Sequence, residues 1–253
     1  MQLKKKIITL LFVCIFFVYL FIAYANKSKT EEVTLLDFED AIKNKYSVIS
    51  NGNDYQIQGI RENVSLELNQ NNNDKYIKFN LSPGENRSEL RIFNIPNNQS
   101  KHVAFRVFIP TDNKTQDNWN IFAQWWQGKS VSPAISFELI PTDNNFSFRI
   151  LSRNGNSENY KTTFHYSKEI EKGKWIDFVI EMRIDDKNTK NGLLKVWKNG
   201  STIVSYTGKL GYSDQNDYTN FRVGLYRSSS NNSIISLYFD KIKLWDTIDN
   251  TSS

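Results

Sequence analysis

The sequence predicts an all-β fold, a sandwich or barrel of mostly antiparallel strands, on three observations. From about residue 33 the chain runs in short segments in which apolar and polar residues alternate, the period of a strand with one buried face. Clusters of Asn, Asp, Gly and Pro punctuate those segments. No convincing amphipathic helix interrupts them; DFEDAIKNKY, Asp37 to Tyr46, holds one short helical turn at most. No internal repeat, dividing linker or long charge run appears. At 253 residues the economical reading is one domain within residues 26–253, its strands spanning roughly Val33 to Trp245.

The amino terminus stands apart from that domain. Lys4, Lys5 and Lys6 precede an apolar run from Ile7 to Ala25 that closes on the small-x-small pattern Ala23, Tyr24, Ala25. Residues 1–25 are therefore an export signal, with an uncleaved membrane anchor through residues 7–25 as the alternative, since the run approaches the roughly 20 residues that span a bilayer. In both cases the lysines hold that end inside and place the rest outside. Cys14, the only cysteine, lies in this segment behind Val13, so the exported domain has no disulfide or thiolate metal site and no lipoprotein signal. Removing the three lysines takes the net charge from +5 to 5 − 3 = +2, which is no nucleic-acid footprint.

Taken in chain order, the strands fall into core-facing and polar halves. ENRSELR, Glu85 to Arg91, puts Arg87, Glu89 and Arg91 on one face and Ser88 and Leu90 on the other. Such a stripe is either a surface charge ladder or an anion site in which the glutamate holds an arginine fork. HVAFRVFIP buries Val103, Phe105, Val107 and Ile109. FAQWWQG, Phe122 to Gly128, sets Gln124 and Trp126 on one face and Ala123, Trp125 and Gln127 on the other. An exposed indole beside an amide suits a sugar, with a ring face to stack on and a group that donates and accepts. ISFELI and FSFRIL add strands, and WIDFVIEMRI buries Ile176, Phe178, Ile180, Met182 and Ile184. GLLKVWKNGSTIVSY is a hairpin turning at Asn199-Gly200. NFRVGLYR, Asn220 to Arg227, alternates Phe221, Val223 and Leu225 with Arg222, Gly224 and Tyr226, and SLYFDKIKLW closes the domain.

NRSELR, AQWWQ and FRVGLYR, in that order and followed by LYFDKIKLW, resemble the jelly-roll polysaccharide lyases of the heparin lyase and alginate or glucuronan lyase type. The resemblance covers about Asp37 to Trp245 and implies a jelly-roll β-sandwich that cleaves a uronic-acid polysaccharide by β-elimination. It implies that Arg87 and Gln124 contact the sugar carboxylate, that Tyr226 transfers the proton, and that Arg222 stands where the family commonly has lysine. Glu89, Arg91, Trp126, Arg227 and His165 are further candidate substrate contacts. Tyrosine titrates near ~10 in isolation, so Arg222 on the same face would favour the phenolate. Gly224 would leave room for a sugar ring between them.

One departure bears on mechanism. The family often has histidine where this chain has Trp126, and the only histidines are His102 and His165. Unless His165 reaches the cleft, Tyr226 serves as both base and acid, which restricts the reaction to syn elimination. The alternatives are a carbohydrate-binding protein that has lost catalysis and a glycoside hydrolase using Glu85 or Glu89. No cofactor is required; structural calcium on the Asn/Asp-rich loops is compatible with the sequence but nothing fixes it. The expected partner is an acidic polysaccharide, and the expected assembly a monomer.

Overall fold

The computed structural model describes residues 34–68, 74–114, 118–128, 131–143, 145–187 and 189–246. The leader, its cleavage site and Cys14 lie outside them. The described chain forms eighteen strands and one 3₁₀ turn, Arg61–Asn63. The strands are β1 (Thr34–Leu36), β2 (Ile42–Lys43), β3 (Ser47–Ser50), β4 (Asn53–Gly59), β5 (Val64–Leu68), β6 (Lys75–Leu81), β7 (Arg87–Pro96), β8 (Lys101–Phe108) and β9 (Asn120–Trp126). They continue as β10 (Ile135–Pro141), β11 (Phe146–Gly155), β12 (Tyr160–Glu169), β13 (Trp175–Arg183), β14 (Gly192–Lys198), β15 (Ser201–Gly208), β16 (Gly211–Tyr212), β17 (Tyr218–Arg227) and β18 (Ile235–Asp246). Among the described residues no helix is long and apolar enough to cross a membrane.

Two sheets face each other in a jelly-roll β-sandwich. One, of eight strands, runs β15-β14-β13-β8-β18-β6-β5 with β1 also paired to β18. The other, of ten, runs β12-β11-β10-β9-β17-β7-β4-β3-β2, with β16 joined to β11. The predicted alternation decides which faces meet: Val103, Phe105 and Val107 of β8 and Ile176, Phe178, Ile180 and Met182 of β13 are buried against Phe122, Phe137, Phe148 and Phe221 of the opposite sheet. Phe105 sits at the centre, its ring 5.4–6.2 Å from those of Phe137, Phe178, Phe221 and Phe239. Offset and tilted rings at such distances add dispersion to the area term that drives the sheets together.

The hairpin turn forms as its sequence dictates, with positive φ at both Asn199 (47°) and Gly200 (78°). The helical turn allowed for residues 37–46 does not form. A tight turn closes there through Ala41 N–H donating to the Phe38 carbonyl (3.0 Å), because Phe38 anchors the segment in the core and β2 follows at once.

Candidate active site

The outer face of the ten-stranded sheet carries a cleft of about 630 Å³. Strand register builds it in three rows that cross the strands. The first row runs Arg149, Glu138, Ile121, Tyr226, Arg87 over β11, β10, β9, β17 and β7. The second runs Phe164, Leu151, Ser136, Gln124, Arg222, Arg91. The third sets Trp126 beside Asn220 and Asn94. Residues far apart in sequence, chosen by parity along each strand, thus become neighbours.

Tyr226 is half-buried and held by rings and charge. The Arg87 guanidinium lies 4.0 Å from its ring centroid, and the Trp119 ring meets it edge-on at 5.3 Å. Four residues earlier on the same strand, Arg222 is almost wholly buried, with its guanidinium 4.5 Å from the Trp126 ring centroid and, among the described residues, only a long contact, 3.5 Å, to Asn220 Oδ1. Among the described residues its Nε has no hydrogen-bond partner. Burial pushes this guanidinium down from its ordinary value, and the Glu89 carboxylate opposes that push. An under-satisfied cation in the floor of a cleft is poised for an anion.

Glu89 is a support, not a wall of the cleft. It is 0% exposed, accepts a short hydrogen bond from Gln124 Nε2, and stands 3.5 Å from Arg87 Nε. Burial pushes its carboxyl up, against the pull of Arg87, the Gln124 bond and Arg222. It is closed to the cleft, so the expected substrate contact becomes a buried carboxyl that orients Gln124 and Arg87.

The remaining expectations separate. Arg91 lies in an adjoining depression of about 250 Å³ with Asp54, Gln56 and Asn94, donating to Asn94 Oδ1 at 2.8 Å. Trp126 lines the main cleft. Arg227 does not: its side chain is buried and its guanidinium donates to the carbonyls of Glu85, Ser233 and Ser82 at 2.9, 2.8 and 2.5 Å, tying two loops together. His165 also stays out, because it points between the sheets, 2.7 Å from Ser152 Oγ and against the Tyr206 ring of β15; burial lowers its pKa. His102 stacks on Trp245 in the other sheet. Gly224 makes no room for a sugar. Its φ is +134°, and a Cβ there would lie 2.4 Å from the Ser88 carbonyl oxygen and 2.7 Å from Glu89 Cα, so the space is filled by β7. The glycine permits a bulge in β17 between Val223 and Tyr226.

Parity along single strands did not disclose Trp119, Glu138, Arg149 and Arg153, all of which line the cleft. Glu138 accepts from Ser136 Oγ (2.8 Å) and from Arg149 Nε and Nη2 (3.1 and 2.5 Å), with Arg153 3.9 Å away. The spacing Ser136-x-Glu138 and Arg149-x-Leu151-x-Arg153 was the available signal. Four arginines, Arg87, Arg149, Arg153 and Arg222, and one carboxylate, Glu138, therefore line the cleft, a surface for a polyanion. Among the described residues no group of three or more His, Cys, Asp or Glu side chains is placed to hold a metal ion.

A family model described as polysaccharide lyase matches residues 45–243. The fold is shared with an endo-β-1,4-glucuronan lyase from the fungus Trichoderma reesei, at 16% identity and a TM-score of 0.58 over 86% of this chain and 96% of that one. It is shared with an alginate lyase in complex with an alginate trisaccharide, at 9% identity and a TM-score of 0.61 over 85% and 98% of the two chains. An alginate lyase of polysaccharide lyase family 7 aligns at 13% identity and a TM-score of 0.52 over 72% of this chain and 84% of that one. No curated protein matches the sequence.

Proposed function

The chain belongs to the polysaccharide lyase family, and we propose that it cleaves an exported or extracellular uronic-acid polysaccharide by syn β-elimination, with Tyr226 as the one proton-transfer residue. The reading rests on the convergence of Arg87, Gln124, Arg222 and Tyr226 on a single arginine-rich cleft from which both histidines are absent. Glucuronan and alginate, the polymers named for the structural neighbours, are both uronates.

The chemistry follows from the placement. A uronate carboxylate seated on Arg222 and Gln124 has its charge neutralised, which acidifies the adjacent C5–H and stabilises the enolate-like intermediate with preorganised donors. The Tyr226 phenolate takes the C5 proton, the electron pair forms the C4–C5 double bond, and the C4–O4 bond breaks. Tyr226 then gives the proton to O4, which leaves the phenolate restored. One residue can do both jobs only where H5 and O4 lie on the same face of the ring, as in D-glucuronate and D-mannuronate. In L-guluronate and D-galacturonate they lie on opposite faces.

Replacing Tyr226 by Phe tests the assignment. Elimination, read as the ultraviolet absorbance of the unsaturated product, should fall by about a thousandfold or more, while polymer affinity changes little. Undiminished turnover in Y226F would remove Tyr226 from the mechanism. A wild type that binds uronate polymers without turning them over would instead make the protein a lectin on a lyase scaffold. The hydrolase alternative has little to work with: Glu85 accepts from Asn63 and from the Ser82 N–H, Glu89 is buried, and Glu138 is held by arginine.

A further inference from the structure

Beyond the reacting centre, the first two rows of the cleft continue toward the β12 edge of the sheet, whose residues the elimination does not use. Phe164 is 64% exposed on β12, directly opposite Leu151, and the Arg149 guanidinium lies 5.3 Å from its ring centroid. Beside it, Arg149 and Arg153 bracket Glu138, two guanidiniums on one carboxylate, which leaves one positive charge uncompensated. Arg153 is held in place by donating to the Pro133 carbonyl (2.7 Å) and to Ser136 Oγ (3.3 Å).

We propose that Phe164, Arg149 and Arg153 form a distal uronate subsite, in which the ring of one sugar stacks on Phe164 and its carboxylate is met by the two arginines. The proposal rests on the substrate class inferred above. Its occupant is fixed by charge and shape together: an anion for the surplus guanidinium, and a flat apolar face for the ring. Arg149 and Tyr226 share a row and are three strands apart, about 14 Å at the usual strand spacing. A polysaccharide laid across the strands would therefore reach the subsite only if it extends a few residues beyond the bond being cleaved. Chain length becomes a determinant of affinity and rate.

The test compares β-1,4-linked glucuronate and mannuronate trisaccharides with hexa- to octasaccharides. Turnover is measured on wild type and Phe164→Ala, and affinity by calorimetry on the same pair carrying Tyr226→Phe so that the ligand survives. Phe164 is exposed, so its truncation leaves no cavity in the core. The expected result is tighter binding and faster turnover of the long oligomers, with F164A losing about tenfold on the long ones and nothing on the short. Equal losses at every length, or no loss, would overturn the subsite. Length-dependent affinity that F164A abolishes in a protein without turnover would support the subsite and defeat the elimination reading.

Discussion

The guanidinium of Arg222 stacks on Trp126 at 4.5 Å, and both residues stand where the resembling lyases commonly carry others, lysine and histidine. A planar guanidinium stacks on indole in a way that a hydrated ammonium does not, so the two departures belong together. Arg222→Lys and Trp126→His should each lower kcat/KM by about tenfold, and the double variant should lose less than their product, with a coupling of about 1 kcal/mol in a double-mutant cycle. Strict additivity would mean that the stack has no role. At this scale parity and side-chain chemistry pointed to Arg87, Gln124, Arg222 and Tyr226, which line the cleft, and equally to Glu89, which is buried beneath it. Arg227 shows the failure: alternation after Tyr226 assigns it to the inner side, against its expected substrate contact, and two of the carbonyls that hold it belong to residues 82 and 85, remote in sequence.

In β17, the element that carries both Arg222 and Tyr226, regular pairing with β9 is broken between them. The bulge lets Arg222 sit opposite Gln124 while Tyr226 falls opposite Ile121. Gly224 makes this possible, so Gly224→Ala should cost at least about 2 kcal/mol, because alanine disfavours that φ and its methyl would strike the β7 backbone. A urea midpoint measures the loss; an unchanged midpoint would mean that the backbone relaxes freely. The Asn199-Gly200 turn was readable because its chemistry is local. The bulge was not: a glycine within a strand announces close approach but does not say whether a neighbouring strand or a ligand approaches. The same limit hid Glu138, Arg149 and Arg153, whose parity was visible but whose position depends on β10 and β11 lying next to β9.

Across the whole molecule, the alternating pattern pointed to the buried residues of β8 and β13, whereas irregular pairing beside β9, which puts Phe122 in the core and Ile121 in the cleft, and the order of strands required the fold. The opposite sheet supplies a global pH signature. Asp240 of β18 is buried 3.7 Å from Arg106 Nη1, and burial raises its pKa from 3.8 to about 6. Between those values the folded protein holds a proton that the unfolded chain releases, so this group's contribution to stability falls as pH rises through that window. Asp240→Asn should remove this group's share of the slope and raise stability at neutral pH by about 2 kcal/mol, read from urea midpoints at pH 4 and pH 7. A variant destabilised at pH 7 would show that the ion pair with Arg106 outweighs desolvation. The central claim, syn elimination by one tyrosine, is tested most directly by the absorbance of unsaturated uronate while the protein acts separately on glucuronan, polymannuronate, polyguluronate and polygalacturonate. The account predicts a rise with glucuronan or polymannuronate and none with the other two. A rise with polyguluronate or polygalacturonate would require a second proton-transfer group on the far side of the ring and would contradict it.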